Sequence, residues 1–194
     1  MARKQREKSQ QTKEELLAQA ADIFCRKGYK RATIAEITGE AGYAKGTFYR
    51  YWGSKDELFF QIMEKRLKAY REARRQKLQN AENADQVIHI VVDFLESIID
   101  DTDWSRVVLE FTIHAMGNGR LKQQLNQSDH RLSTDLFADI FSPFVTDRES
   151  TRKLGALVTA LFEGFLIQRF LETGVLDKQD LRKAVLILAR SFLR

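Results

Sequence analysis

Apolar residues recur at helical spacing along nearly the whole chain, and the runs break at glycine, proline and capping residues. Leu16, Ala20 and Phe24, joined by Leu17, Ala21 and Ile23, give one face of a helix from Thr12 to Lys27. Thr12 and Glu15 open it as a capping box and Gly28 closes it. Ile34, Ile37 and Ala41 line a short second helix, capped by Thr33 and Glu36 and ended by Gly42. Lys45 to Trp52 makes two turns with Phe48 and Trp52 on one side. Gly53 stops it, and Ser54 with Glu57 starts a long helix to about Asn80. Further helices are expected at 84–101, 103–116 and 119–142, the last ended by Pro143. Thr146 with Glu149 opens one that runs to Thr173, and Asp177 opens one that runs to Phe192. The 84–101 and 103–116 segments are apolar on most sides and are expected at the centre of the body. The pattern is all-α, with about nine helices.

The stretch from Thr33 to Leu58, TIAEITGEAGYAKGTFYRYWGSKDEL, has the layout of a helix, a short glycine-containing turn and a second helix. The second helix carries Lys45, Thr47, Tyr49 and Arg50 opposite Phe48 and Trp52, with no acid between Ala41 and Lys55. AGYAKGTFYRYWGSKDEL resembles the signature of the tetracycline-repressor (TetR) family of bacterial transcriptional regulators. The likeness covers residues 10 to 60 specifically. Ala44 stands where that pattern has serine or threonine, Tyr43 where it has a small aliphatic and Trp52 where it has phenylalanine. The resemblance implies an N-terminal three-helix helix-turn-helix domain, a larger helical ligand-binding and dimerising body, and no enzymatic activity. The expected division is a disordered basic arm at 1–11, the DNA-binding domain at 12–56 and the body at 57–194.

Charge sharpens this reading. Residues 1–55 hold 12 Lys+Arg against 6 Asp+Glu, a balance of +6, and the rest of the chain carries −1 of the total +5. The positive charge is thus confined to the segment with the helix-turn-helix pattern, which points to nucleic acid. Hydrophobic content of 43% with 13 Phe is ample for a buried core. The single cysteine, Cys25, excludes an intrachain disulfide, and no spacing of Cys and His suggests a metal. No phosphate-binding loop, nucleophile elbow or catalytic carboxylate pair is present, so neither enzymatic activity nor a cofactor is expected. No apolar run reaches the length of a membrane span, and the expected setting is cytoplasmic.

Within the reader, Lys45 and Arg50 can reach a phosphate or a guanine edge. Thr47, Tyr49 and Tyr51 suit phosphate oxygens and sugars, although the Tyr51 ring could equally join the core. Gly46 and Ala44 open the helix, where glycine allows close backbone approach. Thr33 and Lys55 sit at helix starts that favour a phosphate. In the body, Glu110 and His114 are spaced i, i+4 and are the polar candidates for an effector pocket, with Phe94, Phe111 and Phe137 as walls. The basic run after Leu67 (Arg71, Arg74, Arg75, Lys77) reads as a solvated face of the connecting helix.

Ala156, Ala160 and Gly164 form a row of small residues. Beside it run the stripes Leu161, Phe165 and Leu181, Val185, Leu188, Phe192. They are expected at a homodimer interface, which the resemblance places on the last two helices as a two-fold four-helix contact. The leading expectation is a dimeric repressor that binds a near-palindromic double-stranded DNA operator and is released by a small-molecule effector, with no membrane partner. The alternative is a helical interaction protein whose helix-turn-helix no longer binds DNA.

Overall fold

Helix begins at the very start of the chain. In the computed structural model, which describes residues 2–127 and 134–193, α1 spans Ala2–Lys27 and takes in the segment expected as a disordered arm. Pairs one turn apart hold that extension: Arg3 with Glu7, Gln10 with Glu14 and Gln11 with Glu15. Thr12 is therefore a helix-interior residue whose hydroxyl donates to the Lys8 carbonyl rather than capping a helix start. Ser9 adds a tertiary tie, since the Tyr51 hydroxyl donates to its carbonyl at 3.0 Å.

The remaining helices are α2 (Ile34–Glu40), α3 (Lys45–Phe48), α4 (Lys55–Gln79), α5 (Ala84–Asp100), α6 (Thr102–Met116), α7 (Gly119–Gln127), α8 (Thr134–Phe141), α9 (Arg148–Phe170) and α10 (Lys178–Phe192). Among the described residues there are ten helices and no strand. Part of the helix expected over 119–142, residues 128–133, lies outside the described residues. The chain forms two compact units, Met1–Arg66 and Leu67–Arg194. The division falls inside α4, whose first turn also contains the 56/57 boundary drawn from sequence.

The first unit is the helix-turn-helix domain. Leu16, Ala20, Ile23 and Phe24 of α1 are fully buried with Ile37 of α2, Phe48 of α3 and Leu58 and Phe59 of α4. Rings from successive elements close this small core: Phe24 and Tyr29 both meet Phe59, at 5.4 and 5.1 Å between centroids.

The second unit is an all-helical body built on α5. Val87, Ile88, Val91, Val92, Leu95 and Ile99 pack with Phe137 and Phe141 of α8, Leu154, Val158 and Phe165 of α9, and Leu181, Val185 and Ala189 of α10. Three cations down α10 meet carboxylates up α5: Lys178 with Asp100, Arg182 with Glu96 and Asp93, and Arg190 with Asp85. The reversed order sets the two helices antiparallel; apart from the half-buried Arg182–Glu96 pair, these exposed pairs fix register more than they stabilise. Gly155 lets α8 and α9 approach closely, because a Cβ there would lie 2.8 Å from Cβ and Cγ of Phe137. α5 is central as expected, whereas α6 leaves Ile113 and Met116 more than half exposed. α9 starts from Asp147, whose carboxylate accepts from the Glu149 and Ser150 amides, one residue after the expected Thr146. α10 opens at Asp177 as expected.

Candidate nucleic-acid interface

Local chemistry builds the reader from its supporting helix outward. Thr33 caps α2: its hydroxyl accepts from the Glu36 amide at 3.2 Å, and the Glu36 carboxylate accepts the Thr33 amide at 3.0 Å. Lys27 also bonds Glu36 at 2.8 Å, and these donors hold the Glu36 carboxyl down to about 2, with Lys27 the largest cause. Gly42, at φ +76, turns the chain after α2, and the Tyr43 amide then donates to the Thr38 carbonyl at 2.8 Å. The Tyr43 hydroxyl donates to Glu15, which ties the turn to α1.

α3 is shorter than expected. Its helical part is Lys45–Phe48, and Tyr49 to Tyr51 continue as a tight turn in which Arg50 and Tyr51 donate to the carbonyls three residues back. Ala44 at the N-cap offers no side-chain acceptor, and Gly46 and Thr47 are weak helix formers, so local energetics favour no longer helix. Tertiary packing holds the turn instead. Phe48 is fully buried and stacks tilted on Trp52 at 5.4 Å, and the Trp52 indole N–H donates to Gln61 at 2.6 Å. Both aromatic residues are core, as their spacing predicts.

Opposite these rings, Ala44, Lys45, Gly46, Tyr49 and Arg50 are exposed and Thr47 is half-buried. A Cβ on Gly46 would meet nothing within 4 Å, so that glycine is not explained by packing against the supporting helix. Arg50 and Tyr51 also border a groove of about 570 Å3 with Arg6, Lys8, Ser9 and Thr12 of α1. The α1 extension thereby adds two cations to the side of α3. The arrangement is a convex cationic turn flanked by a cationic groove, suited chemically to phosphate oxygens and base edges.

Three of the expected DNA contacts are spent elsewhere. Lys55 does not present its ammonium at a helix start: Nζ donates to the carbonyls of Tyr29 and Ala32 at 2.8 and 2.9 Å and lies 4.4 Å from the Tyr29 ring centroid. Burial pushes this ammonium below its ordinary range. The reason is geometric, because the long stem reaches the carbonyls after α1, which need donors. The Tyr51 hydroxyl is bound to Ser9, and the Thr33 hydroxyl is engaged with Glu36.

The body residues divide similarly. Phe111 and Phe137 are fully buried; Phe137 stacks with Phe141 and abuts Gly155, so it is core rather than an open pocket wall. Glu110 is half-buried and His114 exposed, its ring 6.1 Å from that of Phe111. Phe94 lies under the guanidinium of Arg74, 4.7 Å from it, with the Tyr70 ring edge-on. Of the expected interface set, Phe165, Leu181 and Val185 are buried within the chain's own core, and Leu188 and Phe192 are half-buried against it. Ala156, Ala160, Gly164 and Leu161 remain exposed, with Leu157, Ile167, Leu171 and Ile187.

Residues 16–62 match the model of the bacterial regulatory proteins of the tetR family. That helix-turn-helix domain is of the tetR family. Among curated relatives, the chain is 34% identical over 80 residues to the uncharacterized HTH-type transcriptional regulator YvdT of Bacillus subtilis, 41% of each chain. It is 28% identical over 132 residues to the B. subtilis regulator YfiR, 66% of this chain and 60% of that one. The matches thus span about half the length of these curated relatives. The likeness in fold extends further than the likeness in sequence. The structure of the regulator FadR from B. subtilis in complex with stearoyl-CoA superposes with a TM-score of 0.73 at 16% identity, over 93% of this chain and 98% of that one.

Proposed function

We propose that this tetR-family chain is a ligand-responsive, dimeric transcriptional regulator, acting as a repressor on a near-palindromic operator. The observation that carries the reading is the α3 turn: Lys45, Thr47, Tyr49 and Arg50 face outward while Phe48 and Trp52 hold the turn from behind. Lys45 and Arg50 supply base-edge or phosphate contacts, and Thr47 and Tyr49 supply phosphate contacts. Ala44 and Gly46 permit close approach of the DNA backbone, and Arg6 and Lys8 neutralise flanking phosphates. Two such readers on a two-fold dimer meet half-sites with centres about 34–36 Å apart or a multiple of that distance. The exposed row of Ala156, Ala160 and Gly164, with Leu157, Leu161 and Ile187, supports dimerisation through α9 and α10. A responsive body is supported by the likeness to FadR, a regulator solved with stearoyl-CoA bound.

Selection of bound sequences from a random DNA pool tests the reading, with recovery of one near-palindrome as the expected outcome. Arg50→Ala then weakens the operator complex more than complexes with random DNA, by roughly 1–3 kcal/mol per half-site if Arg50 reads a guanine. Equal loss on both would reduce Arg50 to a phosphate contact. Recovery of no sequence would favour the interaction-protein alternative.

A further inference from the structure

Within the unit Leu67–Arg194, the basic run of α4 does not behave as a solvated face. Arg74 is only 7% exposed, and its Nε and Nη1 are buried with no hydrogen-bond partner among the described residues. Its guanidinium lies instead over the face of Phe94. Burial, and then the charge of Arg71, push this guanidinium below its ordinary range. A buried cation without acceptors is costly, and a protein keeps one where an anion supplies what the fold does not.

The surroundings say which anion. Arg74 lines a cleft of about 590 Å3 together with Lys68, Arg71 and Arg75. Leu78, Ile140 and Phe144 line it as well, so the cleft is cationic and apolar at once. Its two carboxylates are already committed, Glu72 to Arg75 at 3.0 Å and Asp139 to Arg148 at 2.8 Å. Neither neutralises Arg74. A guanidinium whose Nε and Nη1 hydrogens are unused suits the oxygens of a carboxylate or phosphate.

We propose that this cleft is a binding site for an amphipathic anion, whose carboxylate or phosphate head pairs with Arg74 and whose apolar body covers Leu78, Ile140 and Phe144. The site names the chemical class of effector for the regulator reading given above. Binding itself is independent of that reading, because it is measured without DNA.

The test is isothermal titration of the full chain with decanoate, decyl phosphate and the neutral decanol. Either or both anions bind, and the tighter one identifies the head group; decanol binds at least about tenfold more weakly. Arg74→Met lowers anion affinity at least about tenfold and melts no lower than wild type, since it removes an uncompensated buried charge. Lys68→Glu, at an exposed position, is the second variant and also weakens anion binding if Arg74→Met does not fold. Failure of both anions to bind, equal binding of decanol, or anion affinity unchanged in the folded variant each overturns the proposal. Retention of the apo Arg74→Met protein on its selected operator keeps this outcome separate from the DNA-binding reading. Operator binding with no anion binding sinks only the cleft, and the reverse sinks only the regulator.

Discussion

Replacing Lys55 with alanine separates a structural cation from a DNA contact. The ammonium donates to the carbonyls of Tyr29 and Ala32 at 2.8 and 2.9 Å, reaches that of Lys30 at 3.5 Å, and sits over the Tyr29 ring. A hydrogen bond involving a charged group contributes about 1.5–3 kcal/mol, and a half-exposed cation–π contact about 0.5–1 kcal/mol. Against these stand the cost of desolvating the ammonium and the water that re-solvates the freed carbonyls. Lys55 is half-buried, so the lower ends apply, and the expected net loss is about 2–3 kcal/mol. Urea denaturation followed by helical circular dichroism reads the loss. Fluorescence anisotropy on an operator duplex across a salt series reads the other half of the argument. An ammonium already held by carbonyls displaces no counterion, so the slope of log K against log salt stays at the wild-type value. Stability within about 0.5 kcal/mol of wild type, with a slope smaller by about 0.9, would refute the structural role and restore Lys55 as a phosphate contact.

Two glycines on α9 respond oppositely to alanine. Gly155→Ala forces a methyl group into Phe137, and the overpacking cost of about 1–3 kcal/mol exceeds the helix-propensity gain of about 1 kcal/mol, so denaturant stability falls. Gly164→Ala meets nothing within 4 Å, so the dilute chain gains up to about 1 kcal/mol while the dimer dissociation constant rises in sedimentation; an unchanged constant removes Gly164 from the interface. Glu36, with its folded value held to about 2 against an ordinary 4.5, contributes stability that is full above pH 4.5 and is lost as pH falls through about 2. The melting difference between wild type and Glu36→Gln therefore closes between those limits, and a difference constant to the acid end would contradict the Lys27–Glu36–Thr33 arrangement.

Features set by neighbours in sequence were legible in it. The Thr33–Glu36 box, the Asp177 cap and the burial of Phe48 and Trp52 follow from residues within one turn of each other. Destinations of long side chains were not. Lys55 reads as a helix-start cation because nothing local reveals the carbonyls of Tyr29 and Ala32. Arg74 reads as solvated within a basic run, yet Leu67, Tyr70, Arg74 and Leu78 fall on one helical stripe, and that periodicity marks Arg74 as inward-facing. The N-terminal extension of α1 was missed for a related reason: a polar helix has no apolar period to detect, and side-chain pairs one turn apart hold it instead. The apolar stripes of α9 and α10 were half legible, since a helix apolar on two sides does not say which side its own core takes.

The brevity of α3 has an evolutionary corollary. An element that owes its shape to two rings beneath it, rather than to its own helical tendency, places almost no folding demand on the side chains it displays. Positions 45, 47, 49 and 50 are then nearly free to drift. On the proposed reading, a lineage carrying this scaffold can acquire new target sequences by exchanging outward residues while Phe48 and Trp52 stay put, and its specificity can diverge much faster than its architecture.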